Sequence, residues 1–140
     1  MSMTAQESGR NDPEDSPQIV QTSDAPKPIG PYSQAVMSGD LIFCSGQLGI
    51  DPVSGTIVQG DVADQARRAL RNLSEILDAS GSRVANVLKV TIYVRNIKDF
   101  ALVNQVYADF FGEYRPSRSV VEVSGLPKDA LVEIDLIAKR

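Results

Sequence analysis

The sequence has no histidine, no tryptophan and a single cysteine. Without histidine there is no imidazole general base, no Ser-His-Asp triad and no histidine-ligated metal. The lone thiol, Cys44, excludes an internal disulfide and a cysteine-rich zinc site. Aromatic residues make up only 6% of the chain, so its core must be mostly aliphatic. No apolar run approaches the ~20 residues of a membrane-spanning helix. The N-terminus is polar and acidic, unlike a basic, apolar secretory leader. These absences predict a cytoplasmic chain without membrane contact. Any chemistry must run on carboxylates, guanidinium or ammonium groups, hydroxyls, backbone and water.

What is present fits one domain: 140 residues, 42% hydrophobic and 23% charged. The net charge of −4 is unevenly spread. Glu7, Asp12, Glu14 and Asp15 against Arg10 leave residues 1–16 at −3 and the remaining 124 residues near neutral. That first segment, rich in Ser, Pro, Asn and acids, is expected to be a disordered tail ahead of a single domain over 17–140. The body lacks the dense basic patch of a nucleic-acid binder. Arg67, Arg68 and Arg71 share their helix with Asp64 and Glu75 and read as a solvated face.

Residues 19–22 form a first predicted strand, followed by a loop in which Pro26, Pro28 and Pro31 remove donors and fix φ. Strand 34–37, turn 38–40 and strand 41–44 make a hairpin. A turn over 51–55 leads to a short extended stretch, 56–58. The clearest helix follows: Val62, Ala66, Ala69, Leu70, Leu73, Ile76 and Leu77 recur at the helical period. Asp61 is placed to cap it and Gly81 to end it. Residues 87–94 read as a central strand, apolar on both sides. A second helix is predicted from an Asp99 cap, burying Phe100, Val103, Val106, Tyr107 and Phe110. Strands 119–123 and 131–138 close the chain. The order β-β-β-α-β-α-β-β predicts an α+β fold, a mixed sheet with both helices on one face. The other face then needs cover, most simply from another subunit.

Several polar residues interrupt the packing pattern. Along 131–138 the even positions are all apolar, which puts Glu133 on the other face with Leu131, Asp135 and Ile137. A carboxylate half-buried there needs a partner; an acid on a solvated edge strand would give the same spacing. Arg118 stands at the mouth of strand 119–123, as a planar fork for a carboxylate or as surface decoration. Ser45 and Gly46 follow strand 41–44, in a site or a plain turn. Asn104 borders the stripe of the second helix. Cys44 reads as a small core residue rather than a nucleophile.

The segment from Pro116 to Pro127, followed by Val132-Glu133-Ile134, resembles the signature of the RidA (YjgF) family. Ile29 to Ala35, Leu41 to Leu48 and Val103 to Phe111 resemble three further family blocks in the same order, so the likeness runs from about Ile19 to Ala138. It implies a chorismate-mutase-like α+β fold, a homotrimer with ligand clefts between subunits, and a small imine or 2-oxo acid ligand. The implied activity is hydrolytic deamination of reactive enamine/imine intermediates such as 2-aminoacrylate, with no cofactor. By matching position, Arg118 is implied to hold the substrate carboxylate and Glu133 to orient the attacking water. Tyr32, Ser45, Gly46, Asn104 and Val120 are implied to line the cleft. Two departures bear on substrate range: the connection 112–115 is shorter than in archetypal members, and Gly125 stands where many carry arginine. A carboxylate-binding regulator without turnover would need Arg118 but not Glu133. A ribonuclease-like translation inhibitor is the third reading, disfavoured by the missing histidine and a pI near 4.8.

Overall fold

A computed structural model of the chain describes residues 16–140. Of the acidic tail, only Ser16 falls among them. Six strands, β1 (Gln18–Val20), β2 (Ala35–Ser38), β3 (Leu41–Gln47), β4 (Val87–Val94), β5 (Ser117–Glu122) and β6 (Val132–Lys139), form one sheet in the order β1-β2-β3-β6-β4-β5. All pairings are antiparallel except β4 with β5. That parallel pair needs a crossover, supplied by helix α2 (Phe100–Phe111). Helix α1 (Val62–Ala79) connects the β3 side of the sheet to β4.

Period-2 burial decides which sheet face carries the helices. Ile42 and Cys44 of β3, Val90, Ile92 and Val94 of β4, and Ile134, Leu136 and Ala138 of β6 are buried against both helices. The seven apolar residues predicted for α1 are all in this core. Asp61 accepts from the Ala63 and Asp64 N–H groups, and Asp64 accepts back from the Asp61 N–H, closing a reciprocal cap. At the other end Gly81, at φ 75°, lets Ser82 N–H reach the Leu77 carbonyl at 2.9 Å.

Several boundaries move. Residues 56–58 form no strand; Ile57 makes one isolated bridge to Ile50. Asp99 does not cap α2, because a single 3-10 turn (Ile97–Asp99) runs straight into the helix and Asn96 accepts from Lys98 N–H instead. Phe111 is buried at the end of α2, whereas Phe110 is half-buried and Phe100 is 36% exposed. Residues 45–47 are no turn: β3 runs on through them, its register with β6 shifting between Cys44 and Gln47. β5 starts two residues early, so Arg118 lies within the strand.

Among the described residues the second sheet face, here the open face, carries no helix. Strand β4 is not apolar on both sides as predicted; it turns Lys89, Thr91 and Tyr93 to this face, all half-buried. The apolar surface comes instead from Ile19, Leu41, Phe43 and Val121, each at least 40% exposed. Helix α1 also fastens the segment after β3. Asn72 is fully buried, donating to the Leu48 and Ile50 carbonyls at 3.2 and 2.9 Å and accepting from two Arg68 nitrogens. Arg68 is thus half-buried and bonded, unlike the solvated residue predicted. Asn72→Leu strands the Ile50 carbonyl, while that of Leu48 keeps the Ile50 N–H at 2.8 Å, and a loss of about 1–3 kcal/mol is expected, read as an earlier urea midpoint.

Candidate functional site

Arg118 sits opposite Val90 in the parallel β4–β5 ladder, which places it on the helix-covered face. Helix α2 crosses that end of the sheet and presents Phe100, Asn104 and Tyr107, spaced by four and three residues, to the guanidinium. Its carbon lies 4.7 Å from the Tyr107 ring centroid and 5.5 Å from that of Phe100. Nη1 donates to Asn104 Oδ1 at 2.7 Å. Val120, two residues on, shares the face and is half-buried. The arginine is held on three sides, with one of its five donors committed to Asn104 and the rest of the fork presentable to an anion. The Tyr107 hydroxyl is buried and has no hydrogen-bond partner among the described residues.

Glu133 builds a second constellation. It stands opposite Tyr93 in the β4–β6 ladder, and Tyr93 is on the open face. The carboxylate leans over Gly46 of β3, where an added Cβ would lie 2.6 Å from Oε2. Around it Ile29, Tyr32, Ser45, Gly46, Leu48, Pro127 and Glu133 line a cleft of about 310 Å³. The loop carrying Tyr32 is fastened from below. Buried Gln34 accepts from Thr22 N–H at 2.8 Å and donates to the Thr22, Ala25 and Pro26 carbonyls. Ser45 Oγ donates to the Ser33 carbonyl at 2.6 Å, and the Tyr32 hydroxyl accepts from Ile29 N–H. Burial, and then repulsion from Asp135, pushes the Glu133 carboxyl above the ordinary glutamate range. Burial pushes the Cys44 thiol up to about 12, so it is no nucleophile at neutral pH.

The structure therefore gathers Tyr32, Ser45, Gly46 and Glu133 in one cleft, and Arg118, Asn104 and Val120 at another place. Cross-strand partners share a face: Arg118 goes with Val90, Glu133 with Tyr93, and these two β4 residues point to opposite sides of the sheet. Within one protomer the arginine fork and the raised carboxylate are separated by the sheet itself. Phe100, expected in the core, is one of the rings flanking Arg118. Tyr93 carries no signal in the sequence, since only the register shows what stands beside Glu133.

The endoribonuclease L-PSP family model matches residues 22–140. A RutC family protein of Pyrococcus horikoshii is 52% identical over 121 residues, 86% of this chain and 96% of its own. The 2-iminobutanoate/2-iminopropanoate deaminase of Bos taurus is 48% identical over 120 residues, 86% and 88% of the two chains. The crystal structure of the YjgF gene product of E. coli superposes with a TM-score of 0.84 at 44% identity, over 88% of this chain and 98% of that one. The chain belongs to the Rid/YjgF (L-PSP) family.

Residues 112–115 and Gly125, the two places where the sequence is expected to depart from the family pattern, lie on the surface. The short 112–115 link is tied down by Arg115, which donates to the Gly112 and Tyr114 carbonyls, and by the Tyr114 hydroxyl on the Val87 carbonyl. Gly125 faces open space, with nothing within 4 Å of an added Cβ. Among the described residues no helix is long and apolar enough to cross a membrane.

Proposed function

We propose that this Rid protein hydrolyses reactive 2-imino acids and their enamine tautomers, of the 2-aminoacrylate type, to 2-oxo acids and ammonia. The working unit in this reading is a homotrimer whose sites lie between subunits. The observation that supports the reading is the split constellation: the guanidinium fork of Arg118 and the half-buried carboxylate of Glu133 on opposite faces of one sheet. A neighbour whose open face meets the Arg118 edge would bring the two halves together. Covering Ile19, Leu41, Phe43 and Val121 supports such an assembly, at about 1 kcal/mol for each of the latter three, which are already more than half withdrawn from water, and more for Ile19. The bovine relative's name supports the substrate class.

The chemistry suits this inventory. An enamine that takes up a proton from solvent at carbon becomes an iminium, already electrophilic at its carbon, so orientation and one modest base suffice. Arg118 holds the substrate carboxylate. Glu133 accepts a proton from water as the water oxygen adds to the iminium carbon, giving a carbinolamine. That proton passes to the nitrogen; the C–N bond breaks as the hydroxyl oxygen forms the carbonyl, and its released proton leaves with ammonia as ammonium. The family model's ribonuclease name draws no support from a chain without histidine and with a net charge of −4.

The test is release of ammonia and 2-oxo acid from 2-aminoacrylate generated in place by a dehydratase, with semicarbazide competing for the intermediate. Acceleration is expected, and a folded oligomer that gives none overturns the reading. Gly46→Ala provides a finer check. The added methyl meets the end of a flexible side chain, so the fold loses little, within about 1 kcal/mol. Displacing the carboxylate by about an ångström is expected to lower kcat by up to about 10²-fold, measured beside a thermal melt.

A further inference from the structure

Glu133 and Asp135 alternate along β6, so two half-buried carboxylates stand on the open face roughly 7 Å apart along the strand. They lean apart. Glu133 inclines toward β3 and Gly46, while Asp135 inclines toward β4, where its Oδ2 accepts from the Tyr93 hydroxyl at 2.9 Å. Tyr93 is not the register partner of Asp135, which faces Thr91; it is the partner of Glu133. The tyrosine thus reaches diagonally past the first carboxylate to hold the second.

Among the described residues no other charged group on this face takes that part: Lys139, opposite Leu41 at the far end of β6, is exposed and four residues beyond Asp135. Lys89 of β4 donates its Nζ to Ser119 Oγ at 3.2 Å, and Arg95, beyond the end of β4, lies 3.9 Å from Asp129. From β3 the face receives Leu41, Phe43 and Ser45, and from β5 Ser117, Ser119 and Val121, none of them charged.

We propose that Tyr93 and Asp135 are positioning residues for Glu133: the tyrosine hydroxyl pins the aspartate to the β4 side, which leaves the glutamate over Gly46 with a fixed negative charge behind it. The inference rests on the reading that Glu133 activates water. Unpinned, Asp135 is free to turn to Glu133, and two carboxylates sharing one proton are a poorer base than one held alone. Pinned, the aspartate adds its repulsion to burial in keeping the Glu133 proton tightly bound.

The experiment follows glutamate side-chain carboxyl signals by 13C NMR titration of the full-length protein, with the Glu133 signal identified by its loss in Glu133→Gln. Steady-state rates are taken with a 2-imino acid across the same pH range. Asp135→Asn is expected to move the Glu133 midpoint down toward the ordinary glutamate range. The acid limb of kcat should move with it, the plateau kcat should fall, and KM should stay unchanged. Tyr93→Phe is expected to lower kcat with KM retained. Because the two act as a unit, the double variant should be no slower than the slower single. An unmoved Glu133 midpoint in Asp135→Asn, or kcat losses that multiply in the double variant, overturns the proposal. Wild-type protein that turns over no imine overturns the functional reading instead, and the NMR midpoint still decides the pair.

Discussion

Arg118→Ala is expected to lower kcat/KM for a 2-imino acid by about 10²-fold or more while the protein keeps its fold and assembly. The argument starts from the guanidinium's surroundings. Phe100 and Tyr107 flank it and Asn104 takes one N–H, so its orientation is fixed before a ligand arrives. A charge-assisted hydrogen bond contributes about 1.5–3 kcal/mol, and a two-pronged grip on a carboxylate also fixes where the reacting carbon sits. Truncation forfeits both. The stability lost with the two ring contacts is small, about 0.5–1 kcal/mol each at this half-exposed position. Arg118→Lys should recover little, because an ammonium is a point charge and cannot present a fork. Rates with 2-imino acids, set beside a thermal melt, separate the outcomes: wild-type turnover in Arg118→Ala would reduce the arginine to a packing residue on α2.

How legible such a site is depends on whether its residues mark their own face. In β6 they do: Val132, Ile134, Leu136 and Ala138 are buried, so Glu133 falls on the open side by parity alone, as does Asp135. The long stripe of α1 was equally plain, since seven apolar residues at one period leave no second choice. In β5 the side chains are half-buried or exposed throughout, so no hydrophobic alternation tells which way Arg118 points. Only its pairing with Val90 does, and a parallel ladder set by a crossover helix leaves no local trace. Asn72 and Gln34 were opaque for a related reason. A buried amide in a helix or hairpin is spelled like a solvated one, and its carbonyl partners lie 22 and 24 residues away for Asn72. Phe100 leaves the core and Phe111 enters it because one end of a helix can turn away from the sheet, and periodicity does not show which end does.

Glu133→Gln carries the second large effect, and its sign differs between activity and stability. Activity is expected to fall by about 10²–10⁴-fold, the usual range for removing a general base, with the acid limb of the wild-type profile lost alongside. That limb reports a carboxyl lifted above the ordinary glutamate range by burial and by Asp135, so wild-type turnover should fade on acidification sooner than a solvated glutamate would dictate. Stability runs the other way. A raised folded-state pKa means the fold favours the protonated form. The stabilisation is complete below the ordinary glutamate value and is lost as pH rises through the raised one, so at neutral pH the ionised side chain is a net cost. Glutamine has no charge to desolvate, and the variant's melting temperature at pH 7 is expected to match or exceed the wild type. A rate loss accompanied by a gain in stability is the mark of a group kept for chemistry. Mixing the two inactive chains then asks where the halves meet. Co-refolded Arg118→Ala and Glu133→Gln subunits should recover about a quarter of wild-type turnover if each site takes its arginine and its glutamate from different copies under random assembly. A site contained within one chain would recover none. Any substantial recovery would therefore place the two faces of the sheet against each other in the working oligomer.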